Sequence, residues 1–160
     1  MIECEILDGA AMNRLIVIGI LVMLLGTISG CKKDESSTPP ILPPGTVSEV
    51  EPNDVTPQNL GTLGSQDLVV SGAAANATDV DRFSIRISSA TNLLAKVAWT
   101  GAADLDLSVM DSTGIMLTFR DTGQNPESCT LTSRPPGTYI IQVTSKSNSA
   151  TSYTLTIGPR

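Results

Sequence analysis

Apolar and polar residues alternate with a period of two over most of the chain beyond residue 66. At 82–87, Phe83, Ile85 and Ile87 fall on one face and Ser84 and Arg86 on the other. At 93–99, Leu93, Ala95, Val97 and Trp99 share a face. At 104–110, Leu105, Leu107 and Val109 oppose Asp104, Asp106 and Ser108. Successive side chains of an extended strand point to opposite sides, so this pattern predicts half-buried antiparallel strands. Further strands are predicted at 67–72, 115–120, 127–132, 138–143 and 152–157. The last two turn Tyr139, Ile141 and Val143, and then Tyr153, Leu155 and Ile157, inward. Turn chemistry separates them at Asp111-Ser112-Thr113-Gly114, at 121–126 and at Arg134-Pro135-Pro136-Gly137. There aspartate bonds its own backbone, glycine takes positive φ, and proline presets φ. About eight strands with no helical period predict an all-β fold, an antiparallel sandwich or barrel.

Before the strands the pattern changes. Residues 15–25 form an apolar run that leads through small residues to Ile28-Ser29-Gly30-Cys31. A run of about eleven residues falls short of the roughly 20 that span a bilayer and suits the 7–15 of a signal-peptide core. The ending resembles the lipobox of bacterial lipoproteins, where an apolar residue and two small ones precede the cysteine that is acylated and becomes residue one. Small side chains let a peptidase hold that backbone extended and close. The resemblance implies a leader over 1–30, an N-terminal lipid on Cys31, and membrane attachment at the bacterial cell envelope. Glu3, Glu5 and Asp8 put negative charge where a leader is positive, whereas Met12-Asn13-Arg14 suits it, so translation is expected to start at Met12.

Lys32 follows the cysteine, where an aspartate would resemble an inner-membrane retention signal. The Lys-Asp-Glu string at 33–35 resembles an export signal to the outer face of the outer membrane. In a diderm cell the outer membrane, with surface exposure, is therefore expected over the inner one. Pro39, Pro40, Pro43 and Pro44 then predict a polyproline-II spacer over 38–48. At about 3.1 Å per residue, some 15 residues would hold a domain roughly 45 Å from the membrane. The expected layout is leader 1–30, acylated cysteine and tether 31–48, and one β-domain over 49–160.

Composition narrows the functional classes. Of 160 residues, about 130 remain after the leader, enough for one domain with its own core. The net charge of −6 becomes −4 for residues 31–160, with 9 basic and 13 acidic side chains. A mildly acidic surface argues against nucleic acid as a partner. The chain has no histidine, which excludes Ser-His-Asp and Cys-His catalysis and histidine-ligated zinc. With Cys4 in the leader and Cys31 lipidated, Cys129 stands alone on an inward strand face and reads as a small buried hydrophobe. Trp99, Tyr139, Tyr153 and Phe83 fall on core faces, so they pack rather than form a sugar platform. Asp121-Thr122-Gly123 spells an aspartic-protease triplet, but Arg120 precedes it and a hairpin loop explains it. Ser145 and Lys146 form no recognised serine–lysine motif. No nucleophile, base and orienting group are assembled, and the protein is expected not to be an enzyme.

Two acidic stretches remain, Glu49-Val50-Glu51-Pro52-Asn53-Asp54 and Asp79-Val80-Asp81. In extended backbone, residues i and i+2 point the same way, so Glu49, Glu51 and Asn53 can converge, as can Asp79 and Asp81. Hard oxygen donors of this kind suit calcium, which takes six to eight. Solvated acids beside a linker and a turn are the other reading, and the spacing alone leaves both open.

The ordered series of these motifs carries a second resemblance. Glu-Val-Glu-Pro-Asn-Asp, Gly72 and Asp-Val-Asp-Arg-Phe, Asp104-Leu105-Asp106-Leu107 with the 111–114 turn, Gly-Thr-Tyr-Ile-Ile-Gln-Val and the closing Tyr-Thr-Leu-Thr-Ile together resemble the bacterial pre-peptidase C-terminal domain. That resemblance implies a jelly-roll-like antiparallel β-sandwich, related to the collagen-binding domains of bacterial collagenases. It also implies calcium held by Glu49, Glu51, Asn53, Asp54, Asp79 and Asp81. No peptidase domain is expected within residues 1–160. The expected function is therefore a non-catalytic, lipid-anchored envelope binding or scaffold module, calcium-stabilised, contacting an extracellular polymer or a partner envelope protein. The alternative is an accessory, as inhibitor or folding aid, to a separately encoded secreted peptidase.

Overall fold

The structure, a computed structural model, describes residues 45–160. The leader, Cys31 and the proline-rich stretch up to residue 44 lie outside the described residues. The described chain forms ten strands: β1 (Thr46–Ser48), β2 (Gln58–Thr62), β3 (Leu68–Ala74), β4 (Val80–Ile87), β5 (Thr91–Trp99), β6 (Leu105–Asp111), β7 (Met116–Arg120), β8 (Glu127–Arg134), β9 (Gly137–Ser145) and β10 (Thr151–Pro159). They make two five-stranded sheets, in the orders β1-β3-β10-β5-β8 and β2-β4-β9-β6-β7.

Strands β3 to β10 are the eight that alternation predicts, and all pairings among them are antiparallel. Their order, with β3-β10-β5-β8 facing β4-β9-β6-β7, is that of a jelly-roll sandwich. The expected spacer ends earlier than Ser48, because residues 46–48 are already β1, laid parallel on β3 with Val47 opposite Val70. The short β2 likewise joins β4 in parallel. These two edge strands are the additions to the predicted set.

The inward faces are the predicted ones. Phe83, Ile85, Val97, Leu105, Leu107, Ile141, Val143, Leu155 and Ile157 lose all solvent contact between the sheets. Trp99 is buried too, and its indole N–H donates to the Ala103 carbonyl at 2.6 Å, so both ends of this amphipathic ring are satisfied. Cys129 lies in the same core, and burial pushes its thiol up to about 11. The 111–114 turn closes as expected: the Asp111 carboxylate accepts the Thr113 and Ile115 N–H groups, and Gly114 sits at φ +85°. Phe119, which alternation leaves unassigned, is half exposed on the edge strand β7.

The pairing collects the acids at one end of the sandwich. Val80 faces Thr144 and Leu105 faces Ser145 in one sheet, while Thr151 faces Ala74, Tyr153 faces Trp99 and Val97 faces Glu127 in the other. Asp81, Asp106 and Glu127 all sit at strand ends on this side.

Candidate metal centre

The segment after β1 is carried to the mouth of β4 by backbone pairing, since the Glu49 N–H donates to the Ser71 carbonyl at 2.9 Å. Gln58 fastens it further, its side chain accepting from Val50 N–H and donating to the Ser48 carbonyl. Glu49, Glu51 and Asp81 thereby converge, each with a carboxylate oxygen within 4.8 Å of the others. They span the full range of exposure: Glu51 is open to solvent, Glu49 half-buried and Asp81 wholly buried.

Each carboxylate is held differently. Glu49 accepts the Ala73 N–H at 2.8 Å, the Asn53 amide at 3.0 Å and the Tyr153 hydroxyl at 2.9 Å. Glu51 accepts the Asn53 N–H at 2.9 Å. Both oxygens of Asp81 are buried and neither accepts a well-formed hydrogen bond; the nearby Tyr153 hydroxyl, which donates to Glu49, offsets only part of the cost of its burial. A buried anion without a partner is costly, and the protein alone resolves this by holding the proton. Burial above all, joined by the negative charges of Glu49 and Asp79, pushes the Asp81 carboxyl up to about 8. Tyr153, buried against the same acids, has its hydroxyl acidity suppressed.

The six residues expected to act together divide into two groups. Asn53 is fully buried, but its amide oxygen accepts the Arg82 N–H at 3.2 Å while its amide group donates to Glu49. It clamps the segment to β4. Asp54 accepts the Val80 N–H at 3.4 Å, and Asp79 accepts the Ala75 N–H, closing the turn between β3 and β4. The structure therefore brings Glu49, Glu51 and Asp81 together and uses Asn53, Asp54 and Asp79 to tie backbone around them.

Two residues outside the expected acidic set complete the site. Tyr153 reaches Glu49 from β10, and Gly72 on β3 lies directly opposite it. A Cβ at Gly72 would stand 2.4 Å from the Tyr153 ring and 2.8 Å from Glu49 Oε2, so only glycine leaves room for both. In β3, which runs two residues past the predicted strand end, Gly72 is a glycine in a strand interior, which marks a close approach.

The donor set fits a hard cation. Three carboxylates and a phenol oxygen meet where Asp81 lacks a well-formed hydrogen bond, and a divalent ion would supply the missing charge. The serine–lysine pair fits nothing of the kind: Ser145 Oγ donates to the Ser147 carbonyl, and Lys146 is kept protonated by Asp106 and Asp121. Asp121 of the Asp-Thr-Gly triplet is half exposed in an ion pair with Lys146 at 3.3 Å.

Comparison with known proteins agrees with this architecture. Residues 79–145 match the bacterial pre-peptidase C-terminal domain. The match takes in Asp79 and Asp81 but neither the 49–54 segment nor Tyr153. Among solved structures, the pre-peptidase C-terminal domain of a collagenase from Bacillus anthracis is similar, at 14% identity and a TM-score of 0.53, over 72% of this chain and 97% of that one. That likeness is one of fold. The Yersinia pseudotuberculosis-derived mitogen is 14% identical over 60% of this chain and 87% of that one, at 0.47. The Aeromonas hydrophila periplasmic inhibitor of g-type lysozyme is 13% identical over 66% and 100%, at 0.40. No curated protein matches the chain by sequence.

Proposed function

We propose that the protein is a non-catalytic, lipid-anchored envelope module whose β-sandwich is secured by calcium at Glu49, Glu51 and Asp81. On this reading the sandwich is presented to an extracellular polymer or a partner envelope protein. The observation that supports it is the convergence of Glu49 and Glu51 on Asp81, whose two oxygens are buried without a well-formed hydrogen bond. A divalent ion bound there replaces the proton on Asp81 and cancels repulsion with Glu49 and Glu51. It links the chain entering the domain to β4, so the spacer would emerge from a fixed point rather than a frayed edge. Glu49 is locked by three hydrogen bonds, and the exposed Glu51, held by the Asn53 N–H alone, would turn onto the ion. Magnesium suits this set poorly, because it demands tight octahedral geometry and keeps its waters.

Titration calorimetry of the full chain with calcium, in detergent, tests the metal. Binding at about 10⁻⁵–10⁻³ M is expected, lost in Asp81→Asn and weakened in Glu51→Gln. An unchanged isotherm in Asp81→Asn would remove the site. The partner is tested by affinity capture from the native envelope in calcium and in chelator. The same polymer or protein retained in both would detach recognition from calcium.

A further inference from the structure

The outer face of the sheet β2-β4-β9-β6-β7 carries a pattern that the core does not need. Register sets its outward residues in rows across the strands. Met116 pairs with Met110, Met110 with Ile140, and Ile140 with Ser84. In the neighbouring row Phe119 pairs with Ser108, Ser108 with Gln142, and Gln142 with Arg82. On the other side Thr138 pairs with Arg86. Directly paired side chains stand about 4.5–5.5 Å apart, so the two methionines, Ile140 and Phe119 make one apolar field beside Arg82 and Arg86.

The field is most open where it reaches the sheet edge at β7. Ile115, Met116 and Phe119 are 64%, 56% and 43% exposed, three of the five large hydrophobics left open among the described residues. Met110 and Ile140 are half-buried. The charge on this face is also unusual. Acids outnumber bases by eleven to seven over residues 45–160, yet the outward positions of β4, β6, β7 and β9 hold two arginines and one acid. That acid, Asp106, is buried and held by Lys146 at 2.9 Å. Arg82 is positioned by Gln142, to which its Nε donates at 2.8 Å. Among the described residues neither Arg82 nor Arg86 meets a carboxylate.

We propose that this face docks a polypeptide partner, which sets apolar side chains on Met110, Met116, Phe119 and Ile140 and carboxylates on Arg82 and Arg86. Methionine, aromatic residues and arginine are the types enriched where proteins meet. The arginine fork also matches a carboxylate in shape and charge. A second copy of this chain fits poorly, because these strands offer it no exposed outward carboxylate to answer the arginines. An anionic bilayer fits less well too, since such surfaces are read by clusters of about four to eight basic residues and this face has two. The inference rests on the reading of the protein as a binding module and names the class of its partner. It uses no residue of the calcium site.

Hydroxyl-radical footprinting of the full chain, in nanodiscs of neutral phosphatidylcholine with chelator present, tests it. The probe is a short peptide of alternating leucine and glutamate, and its control carries lysine in place of glutamate. The acidic peptide should protect Met116 and Phe119 from oxidation, and the basic one should not. Arg82→Gln with Arg86→Gln should weaken the acidic peptide about three- to thirtyfold, the worth of two exposed ion pairs. Equal protection by the two peptides, or none by either, overturns the proposal on the unsubstituted chain alone. Protection that appears without peptide, on exchanging the lipid for phosphatidylglycerol or on concentrating the protein, assigns the face to a membrane or to a second copy and overturns it as well. Because the footprint is read in chelator, its failure leaves the calcium site standing, and loss of the calcium site leaves the footprint unchanged.

Discussion

Gly72→Ala offers a severe test of how the first site is built. The new methyl would overlap the Tyr153 ring at 2.4 Å and its hydroxyl at 2.5 Å, with Glu49 Oε2 at 2.8 Å. The ring cannot yield easily, because Tyr153 pairs with both Gly72 and Trp99 and is buried among core residues. Overpacking of this kind costs about 1–3 kcal/mol. Pushing the ring aside also breaks the hydroxyl's bond to Glu49, and a hydrogen bond to a charged group is worth about 1.5–3 kcal/mol. The sum, about 2.5–6 kcal/mol, should lower Tm by at least about 8 °C for a domain of this size. Calcium affinity should fall with it, since Glu49 is displaced. The control is the same substitution in a Tyr153→Ala background, where the clash is gone and the cost should shrink to about 1 kcal/mol or less. Differential scanning fluorimetry of the four chains reads both effects. Equal costs in the two backgrounds would refute the close-approach argument.

Three other outcomes follow from named contacts. Asn53→Ala leaves the Arg82 N–H without its acceptor and frees Glu49, so it should cost about 2–4 kcal/mol in chemical unfolding; a loss below about 0.5 kcal/mol would mean the clamp is idle. Cys129, buried and with its thiol pushed up to about 11, should resist a thiol reagent at neutral pH until denaturant is added; prompt labelling of the native chain would contradict this. Cys31→Ala should release the protein from the membrane or stall its processing, and mass spectrometry that finds residues 1–30 retained without lipid on the unsubstituted protein would end the anchor proposal.

Most of the fold was legible in the sequence because β3 to β10 each bury one face against the other sheet. Burial on one side is what writes a period of two, and Phe83-Ile85-Ile87 or Tyr153-Leu155-Ile157 cannot be shifted by one residue without turning the core outward. Strands β1 and β2 carry no such pattern. β1 has three residues, and β2 is interrupted by Gly61 at φ +81° and a shift in register, so both exist through their parallel partners rather than their own residues. That the acidic segments belong to one cluster was legible from their spacing, yet the division of labour within them was not. Whether Asn53 binds an ion or clamps Arg82 depends on where β4 lies, which is a matter of tertiary pairing. Tyr153 and Gly72 stand 81 residues apart and meet only through the β3–β10 register. The burial of Asp106, 2% exposed on the face that alternation leaves to water, was hidden for the same reason. Glu127 was different: it shares a face with Cys129 and Leu131, so its inward direction was already present in the pattern.

We propose that the clustered carboxylates at the entrance to the domain bind a cation. Thermal melts of the purified chain in millimolar calcium and in chelator test it most directly. A site with a dissociation constant near 10⁻⁵–10⁻⁴ M gains about 1.4–2.7 kcal/mol by mass action at that concentration. This should raise Tm by roughly 5–15 °C, with the gain abolished in Asp81→Asn and little reproduced by magnesium. Coincident melts in calcium and in chelator would contradict the account and leave Glu49, Glu51 and Asp81 as acids that share a corner of the fold without a ligand.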